Sequence, residues 1–394
     1  MGLILVANPG SSSRKYALYE SDKLVLRAEL HVESSDGQIV ATLRTNSGSR
    51  QVETTLSEVH DAPREVRGIL VRENILNENE AITAIGLRVV APGSYFMEDR
   101  VISDEVIAKL EEAKSLAPIH IFATLEELKI LREYFGQTPV VAVSDSAFHR
   151  TKPPYAWNYG INIQDADSLE IKRYGYHGIS VASAVDELWN RGKLPPKVVV
   201  CHLGSGSSVS AIFHGRSIDN TMGFTPLEGV LMATRSGDIS PGAVRALQTK
   251  LGMDWSEIES YLNQRGGLLG IGGSNDIRDL IEREKNGDHL AHLALTTLVH
   301  TIHKAIGSMI ATLNGCDLLV FTGTVGERSA ILRKRIVAHL EFVDFIIDGN
   351  LNDGCTEPDQ LTSISQSAKS KPIIVIPTNE SVEIAKRTLK AAKR

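Results

Sequence analysis

Short apolar runs that end in small polar residues occur in both halves of the chain. Leu3 to Ala7 is followed by Asn-Pro-Gly-Ser-Ser-Ser and then by a second apolar stretch, Tyr16 to Tyr19. In the second half, Val198 to His202 is followed by Leu-Gly-Ser-Gly-Ser-Ser and the apolar stretch Val209 to Phe213. Each passage predicts a buried strand, a small-residue hairpin and a returning strand, with a turn and a third short strand after it. The repeat predicts a duplicated domain with one such hairpin in each half.

Strand and helix patterns alternate after each hairpin. The apolar spacing predicts, in chain order, a strand over Ala84 to Val90, a helix over Ser103 to Leu116, a strand over Pro139 to Val143, a helix over His289 to Leu313, a strand over Leu318 to Phe321, a helix over Ser329 to Leu340, a strand over Ile373 to Ile376 and a terminal helix that begins at Glu380. Thr-Gly-Thr-Val-Gly-Glu, after Phe321, predicts a Gly-bearing loop at a helix N-terminus, which is a third anion or nucleotide site. The alternation is typical of an α/β fold.

Composition and charge narrow the classes of function. A chain of 394 residues predicts two domains, and Lys152-Pro153-Pro154 indicates a joint near residues 146–154. The net charge of -6, without a Lys/Arg tract, argues against nucleic-acid or anionic-membrane partners. The three cysteines lie far apart and support neither disulfides nor a zinc site. Because no signal leader and no membrane-length apolar run is seen, we expect a cytoplasmic protein.

The small-residue hairpins are candidate phosphate sites. Gly and Ser let backbone N–H groups approach an anion, although Asn-Pro-Gly-Ser-Ser-Ser runs into a strand and so differs from the GxxxxGK[ST] loop. An acidic protein needs local cations to bind phosphate, and Arg88, at the end of a buried strand, and Arg235, in a small-residue loop, are candidates. Singly, an arginine like Arg88 is more often in a surface ion pair and one like Arg235 is usually solvated. His177 and His120 could be core histidines, and Asp145 and Glu380 fit helix-terminus roles. Composition and spacing leave these alternatives open.

Seven stretches, however, occur together in one known family. They are NPGSSSRKY, RYGYHGIS, VVVCHLGSGSSVSAI, TMGFTPLEGVLMATRSGDISPG, SNDIRDL, FTGTVGERSAILRKRI and IPTNESVEIA. The chain resembles the acetate kinase family, the acetokinases, within the actin, hexokinase and Hsp70-like superfamily. The resemblance implies an α/β fold of two duplicated actin-like (ribonuclease H-like) domains with an interdomain cleft. On this basis we expect one domain over residues 1–147, completed by a helix over 383–394, and a second domain over 148–382.

The resemblance also implies an activity and the residues that carry it. The activity is reversible transfer of a phosphoryl group from ATP to acetate, which gives acetyl phosphate and ADP by direct in-line transfer. The catalytic residues would be Asp145, Arg88, His177, Arg235 and His120, and Arg88, Val90, Ile119, Tyr176 and Pro226 would bind the substrate. ATP and its phosphates would be bound by Ser11, Ser13, Lys15, His202, Gly204, Ser205, Gly206, Asp276, Ile277, Arg278, Thr324, Val325, Gly326 and Arg328. Asn8 and Glu380 would hold Mg²⁺, with Mn²⁺ as an alternative, and the second domain would form a homodimer.

Departures from the family pattern keep other functions open. Thr324 and Arg328 stand where the adenosine loop usually has Gly and Asn, Ser205 replaces an Asn, and Tyr176 replaces a Phe. A β-branched residue restricts close backbone approach, so pyrophosphate is an alternative phosphoryl donor. A propionate- or butyrate-sized acid is an alternative acceptor. A nucleotide-binding clamp without kinase activity is the third hypothesis, because the superfamily also contains chaperone-like and filament-forming members.

Overall fold

The structure, a computed structural model, describes residues 2–10, 13–35, 37–366 and 369–393. Its internal contacts divide the chain into two compact units, Met1–Ala147 with Asn379–Arg394, and Phe148–Thr378. The sequence-based division into residues 1–147 with 383–394 and residues 148–382 stays a prediction. Among the described helices, none combines the length and the apolar composition that a membrane crossing requires.

The first unit is built on a sheet with eight described strands. The strands are β1 (Leu3–Pro9), β2 (Ser13–Glu20), β3 (Val25–Ser35), β4 (Gln38–Thr45), β5 (Gly48–Val52), β6 (Ile82–Val89), β7 (Arg100–Val101) and β8 (Val140–Ser144). Their order across the sheet is β5-β4-β3-β2-β1-β6-β8-β7. The first five form an antiparallel meander, β6 and β8 run parallel to β1, and β7 closes the other edge antiparallel to β8.

The second unit repeats this arrangement with six described strands. The strands are β9 (Lys197–Leu203), β10 (Ser207–Phe213), β11 (Arg216–Asn220), β12 (Leu318–Thr322), β13 (Thr362–Ser363) and β14 (Ile373–Val375). Their order, β11-β10-β9-β12-β14-β13, matches the order β3-β2-β1-β6-β8-β7 of the first sheet, with the same parallel and antiparallel pairs. The duplication predicted from the two hairpins is therefore confirmed.

Helices cover the sheets. They are α1 (Ala62–Arg72), α2 (Asp104–Ala113), α3 (Pro118–Phe135), α4 (Ile163–Ser168), α5 (Gly178–Asn190), α6 (Pro241–Leu251), α7 (Trp255–Gln264), α8 (Gly267–Gly272), α9 (Ile277–Lys285), α10 (His289–Thr312), α11 (Gly323–Arg328), α12 (Ala330–Val337), α13 (Gly349–Gly354) and α14 (Glu380–Ala392), with 3₁₀ turns at Val59–Asp61, Ser94–Met97, Ala147–Thr151, Pro154–Ala156 and Glu341–Val343. Each unit has a large apolar core of its own, formed where helices pack on its sheet. Burial of this apolar surface is the main force that holds each unit together.

The C-terminal helix α14 lies directly on the sheet of the first unit. A Cβ atom added to Gly86, in β6, would lie 2.1 Å from Thr388 Oγ1 and 2.8 Å from Ile384 Cγ2, both on α14. Gly86 therefore permits a close approach that any side chain would prevent. This contact brings the first residue of α14, Glu380, to the end of the sheet where β1 and β6 finish.

One local prediction was wrong. The stretch after β12 is not a Gly-bearing loop, because Gly323–Arg328 forms the short helix α11. Gly323 has a φ of 80°, and a Cβ atom there would lie 2.6 Å from the carbonyl oxygen of Leu203. Glycine is thus needed at the strand-to-helix junction, one residue before Thr324.

Candidate active site

Three parallel strands of the first unit bring polar side chains to one edge of the sheet. Asn8 is near the end of β1, Arg88 is near the end of β6, and Asp145 directly follows β8. Since β1 pairs with β6 and β6 with β8 in parallel, their carboxyl ends meet at the same edge. This edge is where α/β sheets commonly bind ligands.

These side chains and Glu380 form a hydrogen-bonded cluster, which we call the Arg88 cluster. Arg88 donates through Nε to Asp145 Oδ1 at 3.3 Å and through Nη2 to Asp145 Oδ2 at 3.1 Å. Its Nη1 donates to Asn8 Oδ1 at 3.2 Å and lies 3.9 Å from Glu380 Oε2. Asn8 Nδ2 in turn donates to Glu380 Oε2 at 2.9 Å. The four residues predicted to act at the acyl and metal positions of the first unit are therefore in mutual contact.

The charges of the Arg88 cluster are largely removed from water. The Asp145 side chain is 1% exposed and the Arg88 side chain 18%. Burial would lower the pKa of Arg88, but the nearby carboxylates of Asp145 and Glu380 outweigh it and raise the pKa above its ordinary value. The guanidinium is therefore a fixed positive charge, with a planar fork suited to carboxylate or phosphate oxygens.

The oxygen atoms of this cluster fit a hard divalent cation. Glu380 supplies a carboxylate and Asn8 an amide oxygen, and Mg²⁺ prefers oxygen ligands of these kinds. Within the described ranges, no three His, Cys, Asp or Glu side chains are grouped so that they could hold a metal ion. A cation here would keep much of its water shell or take phosphate oxygens, as is usual for Mg²⁺ at phosphoryl-transfer sites.

The hairpin between β1 and β2 is adjacent to the Arg88 cluster. Asn8 pairs directly with Lys15 across the two strands, so the two side chains lie on the same face. Lys15 is exposed, whereas Ser13, at the start of β2, is half-buried. The predicted phosphate residue Ser11 lies outside the described residues, and so do the side chains of Ile119 and His120. Val90, directly after β6, is half-buried beside Arg88 in the sequence.

The second unit assembles its predicted residues around the turn between β9 and β10. His177 precedes α5 in a left-handed backbone conformation, with a φ of 59°, and its Nδ1 is 3.0 Å from Ser208 Oγ. The His177 and His202 rings stack with centroids 4.3 Å apart, and His202 Nδ1 is 2.7 Å from Ser180 Oγ. Both rings are thus fixed by hydroxyl groups through Nδ1.

Gly206 is the point where His177 and Arg235 meet. A Cβ atom on Gly206 would lie 3.1 Å from His177 Nε2 and 3.3 Å from Arg235 Nη1. Arg235 Nη1 also donates to the carbonyl oxygen of Pro226 at 3.3 Å. The second unit therefore places an imidazole nitrogen and a guanidinium at the turn of its hairpin.

Tyr176 is connected to the same group. It is completely buried, and its hydroxyl donates to the carbonyl oxygen of Phe224 at 2.6 Å. Phe224 and Pro226 belong to one loop, so Tyr176 and Pro226 are held near each other. The hydroxyl group that distinguishes Tyr176 from phenylalanine thus has a hydrogen-bond acceptor within the second unit. It connects Tyr176 to the loop that contains Phe224.

The residues predicted to bind ATP and its phosphates in the second unit are only partly brought together. Gly204, Ile277 and Val325 line one apolar cavity of about 10 Å³. Asp276 is the N-cap of α9 and accepts hydrogen bonds from Arg278 Nη2, at 2.7 Å, and Nε, which help to lower the pKa of Asp276. Three others lie on α11 with Val325: Thr324 is exposed, Gly326 is buried, and Arg328 forms an ion pair with Glu357. Ser205, between Gly204 and Gly206, accepts from the backbone N–H of Ala233 through its carbonyl oxygen at 3.2 Å.

Sequence reasoning missed several residues that fix these side chains. Ser208, the last residue of Leu-Gly-Ser-Gly-Ser-Ser, holds His177. Thr378 accepts from the backbone N–H of Gly323 at 2.7 Å and donates to Glu327 Oε1 at 2.7 Å, which fixes the start of α11. Ser208, Glu327 and Thr378 all lie inside the motifs quoted from the sequence. Their place in these motifs is the signal by which they could have been found. Their partners could be found only from the fold.

The family of the chain follows from comparison with known proteins. The sequence profile of the Acetokinase family matches residues 3–386. The chain belongs to the acetokinase family. It is similar to an acetate kinase from Carboxydothermus hydrogenoformans, with 38% identity over 393 residues and 98% of each chain covered. A propionate kinase from Francisella tularensis has a similar structure, with a TM-score of 0.89 and 34% identity over 99% of this chain and 100% of that one. Acetate kinase from Porphyromonas gingivalis has a TM-score of 0.86 and 32% identity, with both chains covered completely.

Membership in the acetokinase family confirms the resemblance on which the residue assignments were based. The predicted fold class is also confirmed, because the solved acetate and propionate kinases superpose over nearly all of the chain. The roles of individual residues in this acetokinase stay predictions. What the geometry adds is that they form two groups, the Arg88 cluster in the first unit and the group around Gly206 in the second.

The group around Gly206 can be tested by adding one methyl group. Gly206→Ala would bring a Cβ atom within 3.1 Å of His177 Nε2 and 3.3 Å of Arg235 Nη1, so both side chains would have to move. We expect kcat/KM for acyl phosphate formation to fall about tenfold to a hundredfold, because small displacements of positioned groups have effects of this order. The measurement is hydroxamate formation from acetate and ATP.

Gly307→Ala is the matched control for this variant. A Cβ atom at Gly307, in α10, would meet nothing within 4 Å. Its activity should equal that of the wild type, and its melting temperature should rise slightly, since alanine favours the helix. Equal activity of Gly206→Ala and Gly307→Ala would contradict the assigned roles of His177 and Arg235.

Proposed function

We propose that this acetokinase is an acetate kinase, which transfers the γ-phosphoryl group of ATP reversibly to acetate and forms acetyl phosphate and ADP. The observation that carries the proposal is the Arg88 cluster, in which one guanidinium is bound by Asp145 and Asn8 beside Glu380. Relatives that share the full length of the chain are named acetate kinases, which supports the same activity.

The first unit would bind the acyl substrate. Acetate is ionised at neutral pH, so its oxygen can attack phosphorus without a general base. The required group is a cation that holds the carboxylate in position, and Arg88 is suited to this because its charge is permanent and its fork is oriented by Asp145. Val90, with Ile119 and His120 on α3, would complete this side of the site.

The second unit would stabilise the charge of the transferring phosphoryl group. Phosphoryl transfer places negative charge on three equatorial oxygens and depends mainly on positioning and electrostatic stabilisation. Arg235 supplies a guanidinium and His177 an imidazole nitrogen, both directed to Gly206. Backbone N–H groups around Gly204 and Ser205 would bind the donor phosphates, as small-residue turns do in other anion sites.

A divalent cation would complete the charge balance. Glu380 and Asn8, and Asp145 through water, are the residues that would hold Mg²⁺ or Mn²⁺. When bound, the cation would neutralise part of the charge on the donor phosphates. Because Asn8 is also hydrogen-bonded to Arg88, its orientation is fixed before any ligand enters.

Tyr176 and Pro226, with Val90 and Ile119, would set the size of the acyl pocket. A small apolar pocket favours acetate, but one additional methylene changes the free energy by only about 1 to 3 kcal/mol. We therefore expect propionate to be used as a poorer acceptor. We also propose a homodimer through the second unit, in line with the family resemblance, which sedimentation equilibrium would test.

Hydroxamate trapping of the acyl phosphate tests the proposal directly. The purified chain would be incubated with acetate, propionate or butyrate, each with ATP or pyrophosphate, in the presence of Mg²⁺. We expect the highest kcat/KM with acetate and ATP, with propionate lower by about tenfold to a hundredfold. Absence of product with every pair of substrates, together with tight ATP binding, would support the nucleotide-binding clamp instead.

A second candidate keeps the acyl site and changes a substrate. Pyrophosphate as donor is favoured by Thr324 and Arg328, which stand where the adenosine loop of the family usually has Gly and Asn; Thr324 is exposed on α11, and Arg328 forms an ion pair with Glu357. A longer acid is favoured by the similarity to the propionate kinase from Francisella tularensis. Turnover with pyrophosphate that exceeds turnover with ATP would establish the first variation, and a preference for propionate over acetate would establish the second.

A further inference from the structure

A buried ion pair connects the β1–β2 turn to helix α3. Arg14, the second residue of β2, is 4% exposed, and Glu127, on α3, is 0% exposed. Arg14 Nε donates to Glu127 Oε2 at 3.0 Å, and the hydroxyl of Tyr16 donates to Glu127 Oε1 at 2.7 Å. Both carboxylate oxygens are thus bound by residues of β2, which are separated from Glu127 by more than a hundred positions in the sequence.

Such a pair is costly to bury, and stability alone is a weak reason for its presence. Removing two charges from water often costs more than their attraction returns, and well-packed apolar residues can replace such pairs without loss. Burial raises the pKa of Glu127 to about 7, although the hydrogen bond from Tyr16 and the charge of Arg14 oppose this. The interior therefore disfavours the charged form of Glu127, whereas Tyr16 and Arg14 stabilise it.

The same guanidinium contacts the turn that carries the candidate phosphate residues. Arg14 Nη1 donates to the carbonyl oxygen of Gly10 and, at 3.4 Å, to that of Ser13. The backbone N–H of Gly10 donates to the carbonyl oxygen of Ser13 at 2.8 Å. Because Arg14 donates to both carbonyl oxygens, it holds the backbone on the two sides of the turn.

Glu127 also ties the turn to the helix that carries other candidate residues. Helix α3 begins at Pro118, so Ile119 and His120 lie in its first turn and Glu127 two turns further on. Neither Arg14 nor Glu127 belongs to the residues that would contact substrate.

We propose that Glu127 is a positioning residue, which through Arg14 and Tyr16 holds the backbone of Gly10 and Ser13, at the two ends of the β1–β2 turn, in place for binding of the phosphoryl donor. This inference rests on the proposed function and names a residue through which donor affinity is set. A role in packing alone would affect stability, whereas positioning of the turn affects the KM of the donor and leaves the KM of the acid unchanged.

The test is the double variant Arg14→Met/Glu127→Gln, which removes both charges and keeps an oxygen acceptor for Tyr16. We expect a melting temperature close to that of the wild type, because no unpaired charge remains buried. The KM for MgATP should rise about tenfold, and the KM for acetate should stay within about twofold. A folded double variant with the wild-type KM for MgATP, or with equal increases in both KM values, would overturn the proposal.

A second ion pair of the first unit, between Arg27 on β3 and Glu80 just before β6, provides a control of the same residue types. Arg27 Nη1 donates to both carboxylate oxygens of Glu80, at 2.9 and 3.0 Å. Arg27→Met/Glu80→Gln should leave both KM values unchanged; an equal rise in its KM for MgATP would show that the effect is not specific to the turn and would overturn the proposal.

Direct binding separates this inference from the proposed function. If the wild type formed no acyl phosphate, the proposed function would fail, but calorimetric titration with MgATP would still measure donor affinity. Binding of MgATP by the Arg14→Met/Glu127→Gln variant should then be about tenfold weaker than binding by the wild type. Equal affinities would overturn the positioning role of Glu127 independently of any activity.

Discussion

Arg88→Ala is expected to lower kcat/KM for acyl phosphate formation from acetate and ATP by about a thousandfold or more, the order seen when a charged group that stabilises a transition state is removed. The reason is that Arg88 would hold the acetate carboxylate in line with the phosphoryl group, and its fork is oriented by two hydrogen bonds to Asp145. The measurement is the initial rate of hydroxamate formation over a range of acetate concentrations.

The same substitution should also destabilise the first unit. Asp145 would be left as a nearly inaccessible carboxylate without its cation, which typically costs about 3–5 kcal/mol. A thermal melt must therefore accompany the kinetics, so that loss of fold is not taken for loss of chemistry. Arg88→Lys is the informative control: it retains the charge but cannot form both bonds to Asp145, and we expect intermediate activity in a folded protein. Wild-type activity in Arg88→Ala would exclude the proposed acyl site.

The position of the Arg88 cluster could largely be predicted from the sequence. Apolar runs that end in Asn8, Arg88 and Asp145 indicate strand ends, and parallel strands place such ends at one edge. The predicted strand over Ala84 to Val90 differs from β6 by a residue or two at its ends. The duplication of the domain could also be predicted from the sequence, because a hairpin and its flanking strands give the same pattern of apolar and small residues in each half.

Glu380 is a different case, because no strand pattern connects it to the Arg88 cluster. Its place there depends on α14 lying against β6, which requires the absence of a side chain at Gly86. A glycine within a predicted strand indicates a close approach of some kind, but it does not identify the approaching element. Family resemblance supplied Glu380, and the fold gives the physical reason.

Contacts between residues that are far apart in the sequence could not be predicted from the sequence alone. Arg14 and Glu127 each suggest an exposed position on amphipathic elements, and only the fold brings them together as a buried pair. The loop predicted after β12 was wrong because its glycines suggested irregular backbone. In the structure, the first of them permits the turn into α11, and Thr378 caps its start.

The two groups of candidate residues differ in their chemical character. In the Arg88 cluster, two carboxylates accompany the guanidinium, which suits a site for a metal and a small acid. Around Gly206, the side chains that meet are an imidazole and a guanidinium, and hydroxyl groups orient the two histidines. The two units therefore carry different polar groups, which would fit binding of the acid and a metal by the Arg88 cluster and stabilisation of phosphoryl charge by the group around Gly206.

Arg235→Ala is expected to reduce kcat by about a thousandfold with little change in stability. Arg235 would stabilise charge that develops on the phosphoryl oxygens, so its loss should lower kcat more than it raises either KM. Its guanidinium donates to the carbonyl oxygen of Pro226 at 3.3 Å, a neutral acceptor whose loss of a partner costs less than that of a buried carboxylate. The melting temperature should consequently lie within a few degrees of the wild-type value, roughly what a change below 1 kcal/mol produces.

Two further variants separate charge from geometry at this position. Arg235→Lys keeps the charge without the planar fork, and we expect it to recover only part of the lost rate, because a single ammonium cannot contact two phosphoryl oxygens in the same arrangement. Arg245→Ala, which removes an exposed arginine of α6, should behave as the wild type. If Arg235→Ala lost no more activity than Arg245→Ala, the second unit would have to stabilise the transition state through His177 and the backbone of the hairpin alone.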